Sequence, residues 1–503
     1  MGIISRQSIK YSIISFTGAA VGMISVLFIY PLAIEAVGFI NTFISTAMIL
    51  VPLFNLGLSN VSIKFFNEFA PAKTETKSAF VPLLLILLLL NFIIIGALIW
   101  LGKDTFYQIL KSQNFDISTI QENELQLLVF TLLLTLIGIV TSLISNSQRI
   151  VVPNLLSNFG FKIFLPIIIL TIAFGYQNTQ NLSANAIFYH IFVLLILLFY
   201  LNSLQPSSTS WKKPELGKAK LKEMYTFAFY SGLTALGSVL AYRIDTVMIS
   251  GLINYETAGK YVLPMTMAAV MDIPNMAINS ISGPIISTAW DKKDFKEIDK
   301  LYRSAAINLT IIGGLILLGG YYCFDELSAI SSNPEVFEGL KMVFLILALA
   351  KLVDMITSVN SSILGYSSAY KFNLLFLLVL AVLNIVFNLT FIPEFGILGA
   401  CYATALSILL YNGIKLIFLY YKFGLSPFTW PLVKVIGLIS LFFVSLQFFP
   451  MLSQPIVSIA LKATIISTLY TSIIYRLKVS SEFNGIVLGY LSKARGFFKN
   501  KSN

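Results

Sequence analysis

"FVPLLLILLLLNFIIIGALIWL", residues 80–101, decides the class of fold: the run holds no charged residue and its polar interruptions are single. A helix needs about 20 consecutive apolar residues to cross a bilayer's hydrocarbon core, and a helix on a soluble core keeps one polar face, which this stretch lacks. Membrane β-barrels show only roughly 10-residue alternating segments, so a barrel is excluded too. Similar runs recur along the chain, as at residues 125–147. Overall 57% of residues are hydrophobic and 11% charged, with a mean hydropathy of +0.84; soluble domains carry about 25% charged residues. An all-α integral membrane protein follows.

The first run, residues 11–30, comes after Arg6 and Lys10 and has the look of a secretory signal. It is about 20 residues long and leads straight into another span, so it reads as the first helix. Apolar windows separated by charged breaks give about fourteen helices, centred near residues 20, 50, 90, 136, 164, 193, 237, 271, 312, 351, 380, 408, 440 and 465. The net charge of +11 would suggest nucleic acid in a soluble chain. Here the basic residues fall mainly in alternate connections: Lys64, Lys73 and Lys77; Arg149; Lys212 to Lys222; Lys292 to Arg303; Lys371; Lys422; and the tail from Arg476. By the positive-inside rule that set is cytoplasmic, with both termini, and nucleic acid is not a partner. No connection exceeds about 30 residues, against the 50 or more of a typical domain.

A shift of about 220 residues places the chain on itself. "AIEAVGFI" (33–40) meets "NYETAGKY" (254–261), so Glu35 pairs with Glu256 and Gly38 with Gly259. Pro52 falls beside Pro274, and "NLL" at 154–156 meets "NLL" at 373–375. Six spans separate the copies. The halves are therefore parallel, a transporter architecture in which the substrate site lies between repeats and access alternates. The expected organisation is a six-helix lobe (1–204), a cytoplasmic linker (205–223), a second six-helix lobe (224–422), two additional helices (423–476) and a cytoplasmic tail (477–503).

Ionisable groups inside a span cost about 2.5–3.5 kcal/mol near its centre and so usually face a watery or protein-lined interior. Lys162, Arg243, Lys260, Lys341, Lys351, Lys415, Lys434 and Lys462 stand against Asp245, Asp272 and Asp354, a cationic excess. Lys260, Lys341, Lys415 and Lys434 lie near helix ends, where a long stem can snorkel to the headgroups. Lys162, Lys351, Lys462 and Arg243 are the candidates for binding an anionic substrate. Lys351 and Asp354, three apart on one face, are either an ion pair or a cavity pair. Ser231, Thr234, Ser238, Tyr242 and Asp245 form a polar stripe expected to line an aqueous path, with Arg243 on another face. Asp245, Asp272, Asp354, Tyr242 and Ser238 are thus cavity or coupling candidates. Pro52, Pro264 and Pro274 are hinge candidates, since proline removes a backbone donor and bends a helix. His190 reads as a hydrogen-bonded residue in an apolar run, and Cys323 and Cys401 as core residues. No metal cluster, glycine-rich phosphate loop or nucleophile motif occurs, so no cofactor, metal or catalytic residue is expected, and transport would draw on an ion gradient, the membrane potential or a downhill substrate gradient.

"AYRIDTVMISGLINYETAGKYVLPMTM" (241–267) resembles the start of the second half of polysaccharide flippases in the multidrug/oligosaccharidyl-lipid/polysaccharide (MOP) exporter superfamily. "NIVFNLTFIPEFGILGACYATALS" (384–407) resembles that family's later signature, an asparagine-bearing helix, an Ile-Pro turn and a Gly-Ala helix start. "YPLAIEAVGFINTF" and "LFNLGLSNVSIKFF" are similar to its first two helices. The resemblance implies two six-helix lobes around a cavity plus two helices. It also implies flipping of undecaprenyl-diphosphate-linked oligosaccharide across a bacterial cytoplasmic membrane for O-antigen or lipopolysaccharide synthesis. A polymerase and glycosyltransferases would then be partners, with H+ or Na+ as coupling ion. Family flippases for lipid diphosphates place arginines in the cavity, whereas this chain has one intramembrane arginine and several lysines. The alternatives are a cation-coupled multidrug or metabolite antiporter, a lipid II flippase, and an oligosaccharide polymerase or ligase.

Overall fold

The structure, a computed structural model, describes residues 3–66, 80–204, 218–448, 453–485 and 487–489. No strand occurs among them. The principal helices are α1 (Ile3–Phe28), α2 (Ile34–Asn55), α3 (Phe80–Ser112), α4 (Glu124–Ser145), α5 (Val151–Ala173), α6 (Leu182–Leu204), α7 (Lys218–Leu252) and α8 (Tyr255–Asp291). They continue with α9 (Phe295–Tyr322), α10 (Leu340–Thr357, then Asn360–Tyr366 after a 46° bend), α11 (Tyr370–Phe395), α12 (Ile397–Phe423), α13 (Trp430–Ser445) and α14 (Pro455–Leu477). Eleven are long and apolar enough to span a membrane, twelve with bent α10, and α1 and α13 supply the two shorter apolar helices. The chain is a multi-pass all-α membrane protein. Of the expected linker, residues 205–217 lie outside the described residues, as does the tail beyond residue 489, while 218–223 already belong to α7.

Local chemistry sets the helix ends. Asp294 caps α9 by accepting the Glu297 amide at 3.1 Å, and Thr429 caps α13 ahead of Pro431, which presets the first turn. Within α8, Pro274 has no N–H to offer the preceding turn, and the ladder tightens to a 3-10 turn at Ala269–Met271. Leu56 and Gly57 both take left-handed backbone after α2, turning the chain into a short helix, Leu58–Lys64. A Cβ on Gly57 would lie 2.3 Å from the Ala228 carbonyl oxygen, so glycine there also lets the turn seat on α7.

The chain falls into two compact units: Met1–Leu263 with Leu377–Ala403, and Pro264–Phe376 with Thr404–Asn503. In the first, α2 packs along α7 and α4, and α4 along α6. Leu58, Val61, Phe80, Leu84, Leu143 and Met224 close one end of this bundle. In the second, α9 is the hub, touching α10, α13, α14 and the later part of α8. The start of the tail docks on α9, where Ser480 Oγ reaches Asn308 at 2.7 Å and Glu482 accepts from Ser304 at 2.9 Å.

Gly38 and Gly259, matched by the internal repeat, touch one another. A Cβ on Gly38 would lie 1.7 Å from the Tyr255 oxygen and 2.8 Å from the Gly259 nitrogen. On Gly259 it would lie 2.1 Å from the Ile34 oxygen and 3.1 Å from the Gly38 nitrogen. Ile34 and Tyr255 also match in that alignment, so the contact is reciprocal.

Candidate functional site

A cavity of ≈ 580 Å³ opens inside the first unit. One face of α2 supplies Asn41, Ile44, Met48, Pro52 and Asn55, recurring every three or four residues; α4 supplies Phe130, Leu134 and Ile137; α6 supplies His190. Arg243 enters from α7 and Lys162 from α5. Neither cation makes a hydrogen bond or ion pair among the described residues. No carboxylate is among the lining residues; the other polar groups are asparagines, serines, Tyr30 and His190.

The α7 face on the cavity is Ala235, Val239 and Arg243, spaced by four. Ser238 and Tyr242, from the polar stripe, do not line it, and Tyr242 is 44% exposed. The stripe and the arginine lie one residue apart in helical phase, and the phase that meets the cavity is the arginine's.

Lys162 owes its position to a feature hydropathy did not signal. Leu155–Gly160 forms a π-helical turn inside α5, which re-aims side chains within an otherwise regular helix. It presents Ser157 and Asn158 to the cavity, with Phe161 and Lys162 just beyond. The looser turn frees a carbonyl, and the Tyr189 hydroxyl on α6 donates to Leu156 O. Gly160 makes room, since a Cβ there would sit 2.4 Å from that hydroxyl. Beside Tyr189, His190 Nδ1 lies 2.8 Å from the Ala186 carbonyl. A carbonyl only accepts, so in the neutral ring Nδ1 carries the proton and Nε2 is left as an acceptor.

Asp245 is buried in the same unit. Tyr261 OH donates to Oδ2 at 2.9 Å and Asn388 Nδ2 to Oδ1 at 2.8 Å, while Asn384 ties α11 to the Ala241 carbonyl at 2.9 Å. The aspartate of the first quoted motif and both asparagines of the second therefore meet in one cluster.

The remaining candidates lie in the second unit. Lys351 places Nζ 2.9 Å from both oxygens of Asp272 on α8, whereas Asp354 accepts from Asn412 Nδ2 at 2.6 Å. The bidentate partner of Lys351 is thus distant in sequence rather than three residues along its own helix. Lys462 is buried against Glu326, which is 0% exposed and also accepts from Ser458 at 2.8 Å. Glu326 sits in a short helix, Phe324–Ala329, packed under α14. Lys415 does not snorkel: it is 1% exposed, because Ser361 and Tyr411 hold its ammonium inside. Lys260 and Lys341 do pair at helix ends, with Glu256 at 2.6 Å and Asp325 at 2.5 Å. Of the hinge candidates, Pro52 lines the cavity, Pro264 marks a boundary between the two units, and Pro274 follows the 3-10 turn of α8. Among the described residues no group of histidine, cysteine or acidic side chains could hold a metal.

No protein-family model matches the chain. It is 23% identical over 229 residues to a probable low-salt glycan biosynthesis flippase, Agl15, of Haloferax volcanii, covering 46% of this chain and 48% of that protein. It is 24% identical over 198 residues to a probable flippase, AglR, of the same organism, covering 37% and 40% respectively. The chain thus spans about half the length of the curated relatives it matches. Among solved structures it resembles the lipid II flippase MurJ in an inward closed conformation, with TM-score 0.67, 14% identity and 93% and 99% of the two chains covered. An outward-facing MATE-family multidrug resistance transporter of the MOP superfamily gives TM-score 0.50 at 12% identity, covering 88% and 96%. The chain shares its fold with these solved transporters.

Proposed function

We propose that the protein is a MOP-type flippase for a lipid-diphosphate-linked oligosaccharide, carried on undecaprenol in a bacterial cytoplasmic membrane. It moves the substrate from the cytoplasmic to the outer leaflet by alternating access between the repeat-related lobes 1–204 and 224–422, with both termini cytoplasmic. The observation that carries this reading is the cavity of the first unit, where Arg243 and Lys162 face open space with no acid beside them. Two cations free of internal carboxylates suit a diphosphate, and guanidinium offers a fork matched to phosphate oxygens. Asn41, Asn55, Asn158 and Ser157 supply the mixed donors and acceptors that sugar hydroxyls require. The two Haloferax relatives, named as probable flippases, one for glycan biosynthesis, support the substrate class. An antiporter for cationic drugs would be served by an anionic cavity, which this one is not.

A hydrogen bond to a charged group contributes about 1.5–3 kcal/mol, so losing one cation should slow capture of a diphosphate about ten- to a hundredfold. In proteoliposomes holding a fluorescent undecaprenyl-diphosphate disaccharide, Arg243→Ala and Lys162→Ala are expected to lower flipping by that factor at unchanged protein level. Wild-type rates in both variants would overturn the assignment of the site. Competition by lipid II in the same assay separates the two lipid-diphosphate readings.

A further inference from the structure

Lys415 is a charge the transport cavity does not use. It sits on α12 in the second unit, 1% exposed, with Nζ 2.5 Å from Ser361 Oγ, 3.1 Å from Tyr411 OH and 4.2 Å from the Tyr411 ring centroid. No carboxylate lies within ion-pair distance of it among the described residues, whereas Lys351 and Lys462 each rest on one. An ammonium buried with no carboxylate in contact is costly, and a buried lysine can answer that cost by giving up its proton, which arginine does not. Its two hydroxyl partners both donate and accept. They can take hydrogen bonds from an ammonium, and Tyr411 OH can equally donate to the lone pair of a neutral amine.

The charged groups facing this lysine are few. Asp354 on α10 is the carboxylate whose field reaches it, and Asp354 in turn feels Lys351 and Asp272; Tyr411 is the other titratable neighbour. Asn412 joins the two sides, donating to Asp354 and accepting from Thr357 at 3.0 Å and Asn360 at 3.1 Å. These residues flank the break in α10, where Ser358 holds φ +50 and its N–H bonds Asp354 O at 2.8 Å. Polar groups line one face of α8 nearby: Asp272, Asn275 and Asn279 share it, Asn279 bonds Asn275 at 2.9 Å, and Ser362, next in sequence to Ser361, reaches Asn279 at 3.3 Å. The Asp272–Lys351 pair at one end of that face is partly exposed.

We propose that Lys415 is a proton-binding site, gaining and losing one H+ at Nζ, and that its charge sets the conformation of the broken segment of α10 through Ser361 and Asn412. One proton bound adds one positive charge, which Asp354 offsets; its release leaves a neutral amine hydrogen-bonded to Tyr411. As the seat of the coupling ion this rests on the flippase reading; as a proton site it does not.

Two measurements on the full chain test it. The thermal midpoint of wild type, Lys415→Met and Lys415→Arg is followed from pH 5 to 9 in detergent. A proton site makes the difference between wild type and Lys415→Met change stepwise by several degrees within that range, with no step between the Arg and Met variants. A difference flat with pH overturns the proposal, since a purely structural lysine shifts stability equally throughout. In proteoliposomes with an internal pH dye and the fluorescent lipid-linked disaccharide, wild type should move protons with the probe, and Lys415→Met should move the probe with at least tenfold less proton flux. Probe movement with unchanged proton flux in Lys415→Met, or with none in wild type, overturns the coupling role. If wild type leaves the probe in place, the flippase reading fails while the midpoint titration still decides the proton site.

Discussion

Lys462 gives its ammonium to Glu326 and to the Tyr322 carbonyl, the latter at 3.0 Å, fastening α14 to the end of α9. Glu326 Oε2 is buried without a partner, so the carboxylate depends on that one lysine for compensation. Removing one member of such a pair strands the other charge and costs about 3–5 kcal/mol, whereas removing both is far milder. Lys462→Met is therefore expected to lower the thermal midpoint much more than the double variant Lys462→Met/Glu326→Gln. Additive losses in that cycle would show the two charges to be independent. These residues also mark where sequence reading stops. The depth of Lys462 was legible in its distance from helix ends, but its partner Glu326 was not, because hydropathy does not register a short buried helix. Lys351 was read against Asp354, three residues away; its ion pair is with Asp272, a neighbour only after α8 and α10 pack.

At the scale of elements, the helices themselves were largely legible, since a window of about 20 residues averages over local irregularity. What averaging removes is phase. The π turn of α5 adds one residue to a helical turn and offsets the faces on either side of it by about 100°. Deleting Leu156 is expected to restore a regular helix and turn Lys162 relative to the Ser157 side of the cavity. Flipping should then fall as far as in Lys162→Ala, about ten- to a hundredfold, with the protein still inserted. Full activity in the deletion would show that the turn does not position the lysine. The same loss of phase explains why Ser238 and Tyr242 were chosen from α7 and Arg243 was placed on another face. The stripe was polar, but only packing against α2 determines which stripe meets the cavity.

For the whole molecule, charge asymmetry and repeat each make a commitment. If the basic connections are cytoplasmic, single cysteines at Ser112 and Ser331 should react with an impermeant maleimide in intact cells. A cysteine at Lys292 should react only after permeabilisation, and the opposite pattern, with Lys292 labelled from outside and the other two protected, would reverse the topology. The repeat was found from scattered identities, and among these Glu35 with Glu256 and Gly38 with Gly259 carried the register. Why two glycines should match was invisible until α2 and α8 were seen to cross there. At this crossing each segment is the other's environment. At residues 38 and 259 neither glycine is free to change alone, because a side chain gained at one would occupy the backbone space beside the other.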